Sequence, residues 1–241
     1  MWKRVRTDGL RLLFLVAMAL GAAFITLSSL AYFDLHELPP FAIEKLPVRF
    51  STLWLESLRV HVAAALTSLP LCIFLMTRTI QRRAAIHRWL GRAAGVIILF
   101  ALAPSGAVLA FDAKGGAFVT AGFLLSDALV AFFMVKGVAA ARRRDLVTHR
   151  RAMIHVFAQM SVAVTSRAML IALDVAGMSP DRAYVVALWL PVLGSAAAAE
   201  MFSGAWHSKV RSLGGLIDGL SKVVRSLRSR APARSVVRVG R

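Results

Sequence analysis

Six apolar stretches alternate with short polar segments along the chain, and each is about the ~20 residues that a helix needs to cross a hydrocarbon core roughly 30 Å thick. An apolar run of this length predicts a helix, because only helices and closed barrels satisfy every backbone hydrogen bond in lipid. The stretches lie at about residues 10–33, 53–76, 89–111, 117–139, 152–175 and 183–205. The sequence therefore predicts an all-α fold, a polytopic membrane bundle of six transmembrane helices.

The composition is that of a membrane protein, and the charge pattern predicts its orientation. Of the 241 residues, 58% are hydrophobic and 17% are charged, and the formal net charge is +18. The basic residues concentrate in the N-terminus, in the loops after the second and fourth stretches and in the C-terminal tail, which all fall on one side of a six-span thread. By the positive-inside rule both termini are cytoplasmic, and we expect a multi-pass protein of the inner (plasma) membrane. The same rule explains the charge without a nucleic-acid partner.

The chain is expected to form a transmembrane domain, residues 1–206 with a core at about 53–205, followed by a basic tail, residues 207–241. The first apolar stretch exceeds the ~7–15 residues of a signal-peptide core, so we interpret it as a retained span. In the tail, apolar residues recur every three or four positions among lysines and arginines. That pattern predicts an amphipathic helix on the anionic inner leaflet of the lipid bilayer.

Three polar residues lie at similar depth, about 12–15 Å from the outer end of their spans at 1.5 Å per residue. They are His61, Asp127 and Arg167. Ionisable groups inside spans usually face a bundle interior or a functional site, so they predict an outward-opening polar pocket. The alternative is an ion pair of Asp127 with Arg167 that holds the helices together. Pro104-Ser105-Gly106 is expected to break the third span and to free carbonyl groups near the level of His61.

Two further carboxylates complete the predicted polar intramembrane site. Asp174 falls on the same helical stripe as His149 and Arg167, because their separations bring them within about 20° at 100° per residue. Glu200 lies near the inner end of the sixth span, where Arg92 and His155 are its expected partners.

Two histidines, His87 and His149, each begin a span at the cytoplasmic boundary. Two imidazoles at equal depth on facing helices can be the axial ligands of a b-type haem, whose iron would be the metal they bind. Gly91 and Gly95 share the helical face of His87, and this glycine face predicts either tight helix packing or a surface for a flat porphyrin. The other interpretation of the histidines is that both are interfacial residues that touch lipid headgroups.

The sequence leaves three functions open. The first is a membrane redox or cofactor-binding protein that holds haem b or a quinone. The second is a small-molecule or proton-coupled transporter without a cofactor. The third is a non-catalytic assembly or signalling factor that acts through its basic tail. The chain has no phosphate-binding glycine loop, no HExxH motif and no nucleophile elbow.

Several motifs resemble a family of bacterial predicted membrane proteins of unknown function, and the resemblance covers about residues 55–205. Its most specific element is a pair of His-Arg motifs, and the full set is HRWLGRAAG at 87–95, THRRAMIHVF at 148–157, Arg167, ALWLP at 187–191 and Glu200. The second motif departs from the family pattern, which has Trp and Arg where this chain has Ala152 and His155. The histidine-bearing helices are also similar in style to dihaem b-type cytochromes. The resemblance implies a helical membrane fold and no particular activity.

Overall fold

The structure is a computed structural model that describes residues 2–30, 52–204 and Gly219. These residues are almost all helical, with no strand among them, and they contain six helical segments long and apolar enough to cross a membrane. The prediction of an all-α bundle with six transmembrane helices is confirmed. The helices are α1 (Trp2–Ser29), α2 (Thr52–Met76), α3 (Arg78–Arg82), α4 (Ala84–Ile97), α5 (Ala103–Phe111), α6 (Gly116–Arg142), α7 (Leu146–Met160), α8 (Val162–Val175) and α9 (Pro180–Phe202).

The six spans are numbered in chain order, and some of them begin earlier than hydropathy predicts. They are Leu12–Ser29, Thr52–Met76, Ala84–Phe111, Gly116–Arg142, Leu146–Val175 and Pro180–Phe202. The predicted starts of spans 3 and 5, residues 89 and 152, were wrong by five and six residues. A hydropathy window stops at the arginines, whereas a helix continues through them because arginine is a good helix former. His87 and His149 are therefore each the fourth residue of a helix, α4 and α7.

Two spans contain irregular turns. Span 3 passes through a π-helical turn, Ile98–Leu102, between α4 and α5. Pro104 follows this turn, and because proline has no N–H it leaves a carbonyl of the preceding turn without its helical donor. The predicted break of span 3 is thus a change of helix type and not an end of the helix. In span 5, α7 ends at Met160 and α8 begins at Val162, with Ser161 between them.

Spans 2, 3, 4 and 5 pack in sequence, and span 2 also contacts span 5, so these four spans form a closed ring. Span 1 packs against spans 2 and 5, and span 6 packs against spans 4 and 5. The largest buried apolar cluster draws residues from spans 1 to 5, among them Met18, Ile98, Met134 and Val156. Many large apolar side chains are exposed, as expected of surfaces that face lipid.

The end of the bundle with the arginine-rich loops 77–83 and 143–145 is called the inner end here, and the opposite end the outer end. The chain divides into two compact units, Met1–Ser203 and Gly204–Arg241. The second unit lies almost entirely outside the described residues. The predicted amphipathic helix of the tail and the predicted end of span 1 at residue 33 also lie outside them.

Candidate functional site

The structure brings His87 and His149 together at the inner end. The centroids of the two imidazole rings are 6.4 Å apart, and the ring planes are nearly perpendicular, at 87°. Both side chains are half-buried. One ring comes from span 3 and the other from span 5, so the juxtaposition depends on the packing of the spans and not on local sequence.

His149 is held in place by its own helix start and by span 4. Asp145 is the N-cap residue of α7, and its Oδ1 accepts a hydrogen bond from Thr148 N across 3.0 Å. His149 Nδ1 lies 2.9 Å from Gly137 O, which can only accept, so Nδ1 carries the hydrogen. A side chain at Gly137 would collide with Met153 and Ala152, and its absence therefore lets spans 4 and 5 approach this closely.

The side chain of His87 lacks a hydrogen bond of the kind that orients His149. Its Nδ1 is buried and has no hydrogen-bond partner among the described residues. A buried nitrogen without a partner is costly, so an unsatisfied polar atom at this position calls for a water or a bound group.

The inner half of span 3 packs less closely on spans 4 and 5 than its outer half does on span 4. Helix α4 packs on span 2 and hardly touches spans 4 and 5, whereas the outer helix α5 packs closely on span 4. Along the face of α4 that carries His87, a Cβ added at Gly91 would meet no described atom within 4 Å. One turn deeper, a Cβ added at Gly95 would lie 3.7 Å from Met134 Sδ. The open space beside Gly91, between the two histidines and the Gly95–Met134 contact, is called the cleft below.

In the outer half of the bundle, His61 and Asp127 meet at a glycine of span 3. A Cβ added at Gly106 would lie 2.6 Å from Asp127 Oδ2 and 3.1 Å from His61 Cε1. His61 Nδ1 lies 3.2 Å from Leu102 O and 3.4 Å from Ser105 Oγ. The carbonyl belongs to the π-helical turn, so the irregular turn and the glycine after it together create this cluster.

Arg167 and Asp174 take less part in that cluster than the sequence suggests. The exposed Arg167 donates from Nη1 to Ala163 O across 2.9 Å. No ion pair within the described residues joins Arg167 to Asp127. Asp174 is exposed near the outer end of α8.

Glu200 lies in a different place, towards the inner end of spans 5 and 6. Its Oε2 is 3.2 Å from His155 Nε2, so His155 is its partner. The guanidinium of Arg92, the other expected partner, instead lies over the Trp89 ring. The buried His155 ring also stacks on Phe133, with ring centroids 4.0 Å apart and planes 9° from parallel.

One buried polar group, Gln159, was not predicted from the sequence, and its side chain joins three spans. Its Nε2 donates to Val192 O across 3.1 Å and to Ser195 Oγ across 3.0 Å, and its Oε1 accepts from Ser126 Oγ across 3.2 Å. Glutamine is not ionisable, so a prediction that considers only ionisable groups inside spans overlooks it. A search for amides as well as charges inside spans would have found it.

The comparisons with known proteins agree with the membrane fold. Residues 58–203 match the family described as Predicted membrane protein (DUF2306), and that description names no activity. Comparisons with curated proteins and with solved structures gave no match. The similarity to b-type cytochromes is not shown by any of the three. Because the match covers more than half of the chain, the protein belongs to this family of membrane proteins.

Proposed function

We propose that the protein is a membrane redox protein that binds a b-type haem between spans 3 and 5, with His87 and His149 as the axial ligands. The observation that carries the proposal is the 6.4 Å separation of the two ring centroids. Two imidazoles on opposite sides of one iron, each with its ligating nitrogen about 2 Å from the metal, have centroids a little over ~6 Å apart. The spacing therefore fits the group.

The state of each ring also fits. Because His149 Nδ1–H is bonded to Gly137 O, the lone pair of that ring is on Nε2, the atom that a metal requires. A backbone carbonyl behind a ligating imidazole is the usual way in which proteins orient such a ring. In His87 the nitrogen without a partner among the described residues is Nδ1, so Nδ1 is the atom that ligation would satisfy.

The cleft and its rim suit a flat, anionic cofactor. Gly91 leaves one wall without a side chain, and the Gly95–Met134 contact closes the deep end. The exposed Arg83, Arg88 and Arg150 at the inner end would neutralise the carboxylates of a porphyrin. A haem with two imidazole ligands carries one electron and leaves no coordination position open for substrate. The residues of the chain bind and orient it.

The test is the absorption spectrum of the full chain, purified after expression with ample haem. We expect a Soret band that His87→Ala and His149→Ala each abolish while helical content is unchanged. His61→Ala, a matched change of a membrane histidine outside the cleft, should keep the band. Gly91→Leu should weaken it, whereas Gly194→Leu, at another glycine with no described atom within 4 Å of an added Cβ, should not. A colourless wild-type protein would refute the proposal.

A second candidate function is a small-molecule or proton-coupled transporter without a cofactor. The observation that favours it is the contact of His61 and Asp127 with Gly106 in the outer half of the bundle. A thermal stability that responds to a small organic ion in a colourless protein would support it. For either function we place the protein in the inner membrane of a bacterium, with its arginine-rich loops in the cytoplasm.

A further inference from the structure

We propose that His155 and Glu200 form a proton-binding site near the inner end of the bundle, where one bound proton converts a negatively charged pair into a neutral one. His155 belongs to span 5 and Glu200 to span 6. The site uses no cofactor and neither of the two histidines at the cleft. It therefore goes beyond the proposed redox function and does not depend on it.

The first support is the direct contact between the two side chains. His155 Nε2 lies 3.2 Å from Glu200 Oε2. A contact of this length needs a hydrogen between the two atoms, and a neutral imidazole supplies it by donating from Nε2–H to the carboxylate. The free lone pair of the ring is then on Nδ1. A proton taken up at Nδ1 gives an imidazolium that keeps the same hydrogen bond, so the contact is satisfied in both charge states.

The second support is the environment of the imidazole. The side chain of His155 is only 8% exposed, and its ring stacks on Phe133 of span 4, with centroids 4.0 Å apart and planes 9° from parallel. A cation over an aromatic face is attracted by the electrons of that ring, so Phe133 also favours the protonated form of His155. An uncompensated negative charge among apolar helices is costly, and the bound proton removes it from the pair.

The third support is the position of the carboxylate at the edge of the bundle. The side chain of Glu200 is 46% exposed, whereas that of its partner is buried. Glu200 lies two residues before Phe202, the last residue of span 6, which is about 3 Å along the helix axis. A residue this close to the end of a span is next to the hydrated headgroup region of the bilayer. A proton can therefore reach the pair from the inner side without crossing the apolar core.

The other charged groups around this pair are cations. Lys136 of span 4 has its Nζ 5.9 Å from the centroid of the phenylalanine ring on which His155 stacks. Arg151 precedes His155 by one helical turn and shares its face of span 5. Arg92 of span 3 has its guanidinium over a tryptophan ring of its own helix. Among the described residues, Glu200 is thus the anion that forms an ion-pair contact with His155, and its charge is what favours a proton on the ring.

The experiment is a pH titration of the full chain in lipid nanodiscs, followed by nitrogen NMR of isotope-labelled histidine rings, whose chemical shifts report protonation. The signals of His155 are those that His155→Gln removes. We expect the titration midpoint of His155 to be about one pH unit or more lower in Glu200→Gln than in the wild type, because a neighbouring carboxylate favours the charged imidazole. Glutamine keeps a hydrogen-bond acceptor for the ring, so the variant tests the charge. Glu56→Gln, a matched change at a glutamate paired with Arg59, should leave the midpoint unchanged.

Two results would overturn the proposal. The first is a wild-type His155 that stays in one charge state over the pH range in which histidine ordinarily titrates. The second is a midpoint that is the same in the wild type and in Glu200→Gln, since the carboxylate would then have no part in binding the proton. Glu200→Asp withdraws the carboxylate by one methylene group, and it should also lower the midpoint if the glutamine variant fails to fold. The outcome is expected to be the same with and without haem, so it is distinguishable from the test of the redox function.

Discussion

His61 donates from Nδ1 to Leu102 O across 3.2 Å, and this bond joins span 2 to the π-helical turn of span 3. The turn precedes Pro104, whose missing N–H prevents a regular ladder of backbone hydrogen bonds there. Side-chain hydrogen bonds replace part of that ladder, since Ser105 Oγ donates to the carbonyls of Ala101 and Leu102. A carbonyl group of the irregular turn, which would be costly to leave unpaired in lipid, thus accepts a hydrogen bond from the neighbouring helix.

The close contacts at Gly106 predict that a single methyl group there is destabilising. In Gly106→Ala the new Cβ would lie 2.6 Å from Asp127 Oδ2, so span 3 or the carboxylate must move. We expect the free energy of unfolding of Gly106→Ala to be about 1–3 kcal/mol lower than that of Gly194→Ala, because both gain the same helix propensity and only Gly106 is overpacked. Thermal melts in detergent measure it. Gly194→Ala, where an added Cβ meets no described atom within 4 Å, is the control and should melt at or above the wild-type temperature. Equal melts for Gly106→Ala and Gly194→Ala would contradict the packing described here.

The Gln159 network predicts a stabilising role for an uncharged side chain. Gln159→Leu removes three hydrogen bonds that connect spans 4, 5 and 6. Interhelical hydrogen bonds in membranes contribute about 0.6 kcal/mol each, so we expect a loss of about 1–2 kcal/mol in unfolding free energy. Thr67→Val is a suitable comparison, because Thr67 bonds only to carbonyls of its own helix and should cost less than about 0.5 kcal/mol. The prediction fails if the two variants are equally stable.

The N-cap of α7 predicts a pH dependence. Hydrogen bonds with Thr148 hold the pKa of Asp145 below its ordinary value. The largest effect comes from the side chain of Thr148, and the next from its backbone N–H. Because the pKa of Asp145 is lower in the folded state, its ionised form stabilises the folded protein at pH values above the pKa of the unfolded chain. This stabilisation is lost as the pH falls through the pKa of the folded state. The substitution Asp145→Asn would keep a good cap without a titrating charge, because asparagine is also a favoured N-cap residue.

The measurement for this cap is the difference in melting temperature between wild type and Asp145→Asn over an acid pH series. We expect any advantage of the wild type at neutral pH to vanish as the carboxyl group becomes protonated. Because Asp145 lies outside the membrane spans, other titrating groups affect both proteins alike and cancel in the difference. A difference that is constant with pH would show that the charge of Asp145 contributes nothing.

The membrane orientation is a prediction of the charge pattern alone. Reporters fused after Gly115 and near Asp181 should be extracytoplasmic, and one at Arg143 should be cytoplasmic, because the arginine-rich loops remain inside. Enzymatic reporters or cysteine labelling in whole cells provide the measurement. An inverted result at any of the three positions would refute the predicted orientation.

The sequence alone predicted the parts of the structure that are local. The number of spans was predictable, because the thickness of the bilayer sets how long an apolar stretch must be to cross it, and such stretches can be counted in the sequence. The common face of His87, Gly91 and Gly95 follows from the helical period. The proximity of a helix irregularity to His61 was also accessible, since Pro104 marks it. Pairing of Glu200 with His155 or Arg92 was predicted from depth, and only the structure distinguished the two.

Only the tertiary structure decided which spans are neighbours and which faces meet. In water a helix shows its buried face by an apolar stripe, but lipid is as apolar as the bundle interior, so an apolar stripe does not identify the buried face of a span. Packing rotated Asp127 towards Gly106 and the π-helical turn, and it left Arg167 exposed. It also brought His149 to Gly137, a contact that depends on a missing side chain in another helix. Close approaches of this kind depend on the shapes of two surfaces at once, and one sequence read along its length does not contain them.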